Sequence, residues 1–383
     1  MPAPDRIARR WLLVAVAVAA VAWGANQFAP MLLVYRQDLG LSAATAQATF
    51  GLYALGLIPG LLIGGPVSDR RGRRPVLTAA LVASVLASGL LVAGGSSVAW
   101  LFAGRLVAGV ASGAAFSAGA AWIKELVPAH GARRATVAMT TGFAIGPMVA
   151  GALAQWAPDP TVVPYLPHLV FATAGVAIAR IAPDTAAGAP AAGRAAGLRE
   201  PRFQQVVAPL APWGFGAAAI PLAYLPGLVR DRVGGAALVF GAGVAALTAL
   251  SGIAVQPLAR RLDVPGRPRL LVGALALVVA GMLIAAGSAA ASSMGLVVAA
   301  AVVLGAAYGA CQVCGLLEVQ RLAPPTALAG MTAAYQALSY LGFALPFLLA
   351  ASAGAIAPAS GLLVLAALAA LTLALTARAA SAT

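Results

Sequence analysis

Long apolar runs alternate with short polar segments along the whole sequence. A helix needs about 20 apolar residues to cross the hydrocarbon core of a bilayer, and twelve runs reach or approach that length. The predicted spans are 11–34, 45–65, 76–94, 98–123, 135–156 and 165–182, followed by 205–228, 236–258, 269–287, 293–317, 326–350 and 356–377. The pattern therefore predicts an all-α integral membrane protein with twelve transmembrane helices.

The longest polar segment divides the predicted helices into two sets of six. It is rich in Ala, Gly and Pro, which is typical of a flexible linker. We therefore predict an N-terminal six-helix bundle (1–182), a cytoplasmic linker (183–204) and a C-terminal six-helix bundle (205–383). Internal similarities favour two parallel repeats, because GFAI at 142–145 in the fifth helix is echoed by GFAL at 342–345 in the eleventh.

The charge distribution agrees with this topology. The chain of 383 residues is 62% hydrophobic and only 9% charged, which excludes an ordinary soluble domain. Its net charge of +14 comes from short basic clusters between apolar runs, which favours topology signals over a nucleic-acid surface. With the N-terminus inside, only Arg36, Arg230 and Arg232 fall on the outer side. The positive-inside rule therefore predicts that both termini are cytoplasmic.

One polar segment, between the second and third predicted helices, is unusually charged. Residues 65–77 read GPVSDRRGRRPVL, and charges in hydrocarbon cost roughly 2.5–3.5 kcal/mol each. The segment must therefore be a tight turn at a membrane surface, with Gly65 and Gly72 allowing close approach and a sharp turn. Asp69 could accept hydrogen bonds from a helix N-terminus. A basic loop that only sets topology would explain the arginines, but neither the glycines nor Asp69.

A single arginine falls inside a predicted span. Arg105 lies about seven residues into the fourth helix, ahead of Gly109 and Gly113, which is too deep for a surface charge. Its guanidinium either snorkels towards the outer face or turns into the bundle. In the second case, Asn26 and Gln27 lie at a similar depth and could supply hydrogen-bond acceptors.

The fifth predicted helix carries glycines four residues apart and a proline. It reads GFAIGPMVAG over 142–151, where the glycines form a smooth ridge for close packing. Pro147 removes a backbone donor and bends the helix. Generic helix packing is the alternative, since the same glycine spacing occurs at Gly56, Gly60 and Gly64.

These segments resemble motifs of the major facilitator superfamily, specifically its drug:proton antiporter-like branch, and the resemblance covers nearly the whole chain. It implies two pseudo-symmetric bundles, transport by alternating access and no enzymatic activity. The charged segment is similar to the family's G-x-x-x-D-R-x-G-R-R loop, which acts as a conformational latch. We call residues 65–74 the latch loop. Its matching positions are Gly65, Asp69, Arg70, Gly72, Arg73 and Arg74.

The resemblance also implies roles for individual residues. Asp69 would face the N-terminus of the eleventh helix, and Arg73 would pair with Glu125 at the end of the fourth. Arg105 would take part in proton transfer. The family's antiporter motif, which accompanies export, is matched by Gly142, Gly146, Pro147 and Gly151.

The sequence departs from the family in two places. The loop between the eighth and ninth helices carries Arg260, Asp263 and Gly266 with disturbed spacing, so a full second latch is not expected. No acidic residue lies in the middle of a predicted span, although proton coupling needs a group that loads and releases a proton. Asp38 could serve if it were buried near Arg105; otherwise the coupling is unconventional or absent.

Other candidate chemistry is sparse. Cys311 and Cys314 lie in an apolar run without a second pair or a histidine cluster, which favours packing over a metal or redox site. His130 and His168 are expected in solvated loops, without a role. No metal and no cofactor is expected.

The substrate site of this fold lies near the midplane between the halves. Polar and aromatic candidates at that depth are Asn26, Gln27, Trp213, Gln312, Tyr335 and Gln336. Because no charged cluster is among them, we predict a neutral or amphipathic small organic substrate, exported in exchange for protons. The protein is expected as a monomer in the lipid bilayer of a bacterial inner membrane, without a nucleic-acid partner. Uptake or facilitated diffusion of a metabolite is the alternative, and a membrane sensor or enzyme a remote one.

Overall fold

The computed structural model describes residues 10–128, 130–185, 197–264, 267–324 and 328–382. Twelve helical segments within these ranges are long and apolar enough to cross a membrane, which confirms the predicted architecture. The first six are α1 (Arg10–Asp38), α2 (Ala43–Arg71), α3 (Arg73–Ala93), α4 (Val98–Leu126), α5 (Arg133–Trp156) and α6 (Val163–Ile181). The last six are α7 (Phe203–Leu228), α8 (Arg230–Leu262), α9 (Arg269–Ala291), α10 (Met294–Leu322), α11 (Gly330–Ser352) and α12 (Pro358–Ala380).

The chain forms two compact units. The first comprises Met1–Leu41 and Leu52–Ala191, and the second comprises Ser42–Gly51 and Ala192–Thr383. The first turns of α2 therefore group with the second unit, where the Gln47 side chain donates to the Ala223 carbonyl at 2.6 Å. Residues 186–196 of the predicted linker lie outside the described residues.

Large apolar side chains cover much of the outer surface of the helices. Trp156 is 74% exposed, and Val170 and Ile181 are each 72% exposed. Contiguous exposed apolar surface of this kind is unfavourable in water but is the normal lipid-facing surface of a membrane helix bundle.

Glycines allow helix backbones to meet at corresponding places in the two units. In the first unit, a Cβ atom on Gly109 of α4 would clash with the Tyr53 carbonyl of α2. In the second unit, a Cβ atom on Gly309 of α10 would clash with the Gly252 carbonyl of α8. Lipid tails are as apolar as the side chains, so burying apolar side chains does not drive helices together in a membrane. Small residues at the crossings stabilise the packing instead, because they allow close van der Waals contact between backbones.

Prolines interrupt helices next to the polar side chains of the interior. α1 consists of Arg10–Asn26 and Phe28–Asp38, separated at Gln27. Pro30 explains the break, since it cannot donate to the Asn26 carbonyl and its ring crowds that group. α7 contains two π-helical stretches, Phe203–Val207 and Ile220–Tyr224, and carries Pro209, Pro212, Pro221 and Pro226.

Candidate functional site

The Arg105 guanidinium is buried inside the first unit. The side chain of this α4 residue is 1% exposed, and its Nη1 donates to the Ala25 carbonyl of α1 at 3.1 Å. The guanidinium carbon lies 4.6 Å from the ring centroids of both Phe28 and Tyr53. Two aromatic faces and a carbonyl thus hold the cation, which is a favourable arrangement for a desolvated guanidinium. Arg105 turns into the bundle and does not snorkel.

The two amide side chains at the α1 break bind other partners. Asn26 donates through Nδ2 to the Phe143 carbonyl of α5 at 2.8 Å. That carbonyl would normally accept from the residue four positions on, which is Pro147 and has no N–H. The Asn26 amide therefore supplies the donor that the proline removes. Gln27, expected as an acceptor for Arg105, instead donates to the Ser88 hydroxyl of α3 at 2.9 Å.

The glycines of α5 bring its backbone against α1. A Cβ atom on Gly146 would lie 2.7 Å from the Trp23 carbonyl oxygen, and one on Gly142 would clash with the Ala19 carbonyl. Gly151, the last glycine of the motif, is also buried. The glycine ridge therefore faces α1. It brings the two backbones close enough for the Asn26 side chain to reach from α1 to α5.

The latch loop is helical except at Gly72, where a tight turn joins α2 to α3, so the prediction of a turn over residues 65–77 is wrong for most of its length. Gly72 has a φ of +96°, a conformation that L residues with a side chain rarely adopt. The turn places Arg73 between two carboxylates, 2.5 Å from Asp69 and 2.7 Å from Glu125 at the end of α4. Arg70 is exposed. The Arg73 guanidinium therefore ties α2 and α4 together through the first residue of α3.

The chain that leaves α6 adds acceptors to the latch loop. Arg74 donates its backbone N–H to the Asp184 carboxylate at 3.0 Å and its guanidinium to the Ala182 carbonyl at 2.7 Å. Trp122 of α4 donates to the Pro183 carbonyl at 3.0 Å, and the Thr185 hydroxyl donates to Glu125. Sequence reasoning missed these contacts, since backbone carbonyl acceptors leave no trace in residue identity and the sequence does not show that the 182–185 segment returns to α3 and α4.

The second unit also contains a network of ion pairs. Glu318 of α10 lies 2.9 Å from Arg202 and 3.0 Å from Arg321, and Arg321 also pairs with Asp263. The disturbed loop after α8 thus contributes its acid to α10, although it lacks the spacing of the latch loop. Glu318 is 7% exposed, and its two arginine partners account for the burial of a carboxylate.

The candidate substrate-binding residues of the second unit lie on α7, α10 and α11. The Trp213 indole donates to Thr372 at 3.1 Å, and the buried Tyr335 hydroxyl donates to the Cys311 carbonyl at 2.9 Å. Gln336 is half-buried, whereas Gln312 is 9% exposed and its Oε1 has no hydrogen-bond partner among the described residues. Gln312 therefore has a vacant acceptor that is buried.

Aromatic rings are stacked in the same unit. The Phe215 ring lies 4.1 Å from the Tyr340 ring at an angle of 14°, and 5.2 Å from the Tyr308 ring. Phe343 continues the stack, 5.4 Å from Phe215. Such offset stacking provides a flat apolar surface.

Asp38 does not meet the condition set for a proton carrier, and His168 lies elsewhere than the sequence suggested. Asp38 is exposed at the end of α1, so the condition that it be buried beside Arg105 is not met. The expected loop position of His168 is wrong, because this residue lies within α6 and is fully buried. Pro164 and Pro167 stand in the first turns of this span, where proline is tolerated, so the helix includes His168.

Comparison with known proteins gives similarity along most of the chain. The family model described as Major Facilitator Superfamily matches residues 12–347. The chain is 35% identical over 80 residues to the multidrug resistance protein MdtL of Klebsiella pneumoniae, covering 21% of this chain and 20% of that protein. It is 31% identical over 152 residues to a gallate transporter of Pseudomonas putida, covering 39% and 34%. The matches thus span about a fifth and a third of these relatives.

The fold also matches a solved structure over its full length. The crystal structure of a mutant of the nucleoside transporter NupG superposes with a TM-score of 0.72, covering 97% of this chain and 99% of that chain. The two sequences are 10% identical, so the likeness concerns the fold alone.

Proposed function

Since the chain belongs to the Major Facilitator Superfamily and is a multi-pass membrane transporter, we propose that it exports a small neutral or amphipathic organic compound in exchange for protons. The proposed transport mechanism is alternating access. The proposal also places both termini in the cytoplasm of a bacterium, because the basic loops then fall on the inner side.

The buried Arg105 guanidinium is the observation that carries the proposal. An arginine keeps its charge in a protein, so its burial among Phe28, Tyr53 and the Ala25 carbonyl is costly. A buried charge in a membrane span lowers stability. Such a residue is therefore taken by default to have a function. Arg105 contacts α1 next to the break at Gln27, where a change in electrostatics can act on helix position.

The α5 motif supports export as the direction. Gly142 and Gly146 pack on α1, and Asn26 donates to the carbonyl freed by Pro147, so α1 and α5 are closely packed and hydrogen-bonded to each other. The partial similarity to proteins named for multidrug resistance points the same way. Uptake is the second candidate, favoured by the partial similarity to a gallate transporter.

The test uses a bacterial host that lacks its own major drug exporters. Cells expressing the chain are compared with vector controls for growth on chloramphenicol, a neutral amphipathic aromatic compound, and for uptake of labelled gallate and uridine. We expect raised chloramphenicol resistance, and accumulation in everted vesicles that a protonophore abolishes. Accumulation of gallate or uridine in intact cells, without resistance, would establish uptake and overturn the export proposal.

A further inference from the structure

His168 lies at the centre of a hydrogen-bond network that the motifs do not explain. It is fully buried in α6 and contacts two helices. Its Nδ1 lies 2.7 Å from the Ser88 hydroxyl of α3, and its Nε2 lies 3.1 Å from the Ala20 carbonyl of α1. Gly24 leaves room for the ring, because a Cβ atom there would clash with Nε2.

The protons of this network can be assigned from the donors and acceptors. The Ala20 carbonyl can only accept, so Nε2 carries a hydrogen and Nδ1 is the free acceptor. Ser88 therefore donates to Nδ1 and accepts from the Gln27 amide nitrogen, 2.9 Å away. The Gln27 Oε1 is buried without a hydrogen-bond partner among the described residues. The imidazole in this arrangement is neutral.

We propose that His168 carries the coupled proton, taking it up at Nδ1 while Ser88 and Gln27 reverse their hydrogen bonds. The imidazolium Nδ1–H then donates to Ser88, and the Ser88 hydroxyl rotates to donate to Gln27. For this, the Gln27 amide turns so that its vacant Oε1 becomes the acceptor. One proton enters, no bond other than Nδ1–H forms, and the network gains one positive charge. The inference rests on the proposed proton coupling and names the residue that performs it.

The groups around His168 come from neighbouring helices, so a charge on the imidazole acts on those helices. α1 presents Gln27 and the Ala20 carbonyl, and α3 presents Ser84 and Ser88. Tyr165 lies about one turn before His168 in α6. Tyr165 is bonded in turn to the Tyr35 hydroxyl at 2.9 Å. The charged groups of α1, α3 and α6 within the described residues lie towards the helix ends, and are Arg10, Arg36, Asp38, Arg73, Arg74 and Arg180.

Arg105 is the buried cation of the same unit. It holds the Ala25 carbonyl, two residues before Gln27, while the His168 network holds the Gln27 side chain. A second positive charge in this low-dielectric interior repels the first. Both act on α1 at its Gln27 break, so proton uptake changes the forces on the helix that also packs against α5.

The first test measures the proton directly. The chain contains only two histidines, and His130 is in an exposed turn, so the His130→Gln variant leaves His168 as the single reporter. Nitrogen-15 NMR of the purified full-length variant, labelled at histidine, should show the Nε2–H tautomer at alkaline pH and the imidazolium once the pH is lowered far enough into the acidic range. An imidazole that stays neutral throughout would overturn the proposal.

A matched pair of serine variants tests the network. Ser88→Ala removes the hydroxyl that must accept from Nδ1, and should shift the His168 titration. Ser288→Ala removes a hydroxyl equally buried that donates only within its own helix in the second unit, and should leave the titration unchanged. Equal titrations in the two variants would overturn the role of Ser88 and Gln27.

Transport separates the inference from the function on which it rests. In proteoliposomes, His168→Gln should lose the stimulation of chloramphenicol transport by a pH gradient while keeping chloramphenicol counterflow, which needs no net proton movement. If the gradient drives the wild type and the variant equally, His168 is not the coupling residue. If it drives neither, the proposed coupling itself fails, and the NMR titration still decides whether His168 binds a proton.

Discussion

At the scale of single residues, polar side chains in the first unit bind the backbone of neighbouring helices. Asn26 donates to the Phe143 carbonyl, Arg105 to the Ala25 carbonyl, and His168 to the Ala20 carbonyl. Unsatisfied polar groups are costly where no water is present, so each donor is better used on a carbonyl than left alone. Two of these three carbonyls belong to α1, which makes its position sensitive to the charge on its partners.

Replacing Arg105 with Leu tests the charge at that position. A snorkelling arginine would tolerate Leu, whereas we expect Arg105→Leu to abolish pH-gradient-driven transport, because the aromatic pair and the Ala25 carbonyl lose their cation. The matched control is Arg232→Leu, since Arg232 is exposed after α7. Transport is compared only between variants that are shown to have the same expression level and the same melting temperature. Normal transport by the Arg105→Leu variant would contradict the role of the guanidinium.

At the scale of helices, α1 and α5 form one mechanical pair. The break at Gln27 follows from Pro30, and the gap in the α5 ladder follows from Pro147. The glycines of α5 allow close approach, and the Asn26 amide closes the gap across the interface. Each helix alone would be distorted, but together they satisfy the Phe143 carbonyl.

A double-mutant cycle measures this complementation. Asn26→Leu alone should destabilise the protein by about 1–3 kcal/mol, because it leaves the Phe143 carbonyl unsatisfied. In a Pro147→Ala background, residue 147 regains its N–H and can bond that carbonyl within the helix. The same Asn26→Leu change should then cost clearly less, as measured by thermal melting in detergent. Equal costs in both backgrounds would show that Asn26 does not compensate for Pro147.

The latch loop belongs to the same scale, since it joins three helices. Asp69→Asn removes one of the two carboxylates at Arg73, so the guanidinium keeps Glu125 alone. Because partly exposed ion pairs add little to stability, we expect normal membrane insertion and melting. Transport should fall, since the resemblance assigns Asp69 to the conformational change. Unchanged transport by Asp69→Asn would contradict the latch.

The sequence predicted depth along each helix better than direction around it. The twelve spans follow from apolar length, and the depth of Arg105 and Asn26 follows from their place in those runs. Hydrogen-bond partners depend on helix rotation and on backbone carbonyls, which residue identity does not encode. For that reason the contacts of Gln27 and the 182–185 segment emerged only from the structure. His168 is the exception, because its depth itself was predicted wrongly.

At the scale of the whole molecule, the two units share two kinds of helix contact but differ in the residues that form them. Each contains a glycine-mediated helix crossing and a network of ion pairs that involves an acid near the end of a long helix, Glu125 in α4 and Glu318 in α10. The full sequence pattern of the latch loop, with its glycine turn, occurs in the first unit only. The buried Arg105 and His168 both lie in the first unit.

The orientation of the molecule can be tested with cysteines. Both native cysteines, Cys311 and Cys314, are buried, so a reporter cysteine can be introduced into the natural chain. A membrane-impermeant maleimide should label Ser96→Cys in intact cells, since this exposed residue follows α3 on the predicted outer side. It should label Arg71→Cys, exposed at the end of α2 just before α3, only after permeabilisation. The reverse pattern would place both termini outside.

The position of Glu125 beside a lysine allows its ion pair to be followed by fluorescence. Lys124, the only lysine in the chain, is exposed beside this carboxylate on the last turn of α4. An amine-reactive fluorophore would therefore attach to one side chain only, apart from any free terminal amine, and that side chain adjoins the Arg73–Glu125 pair. Its emission and quenching would follow the opening and closing of the pair in real time, without any engineered residue.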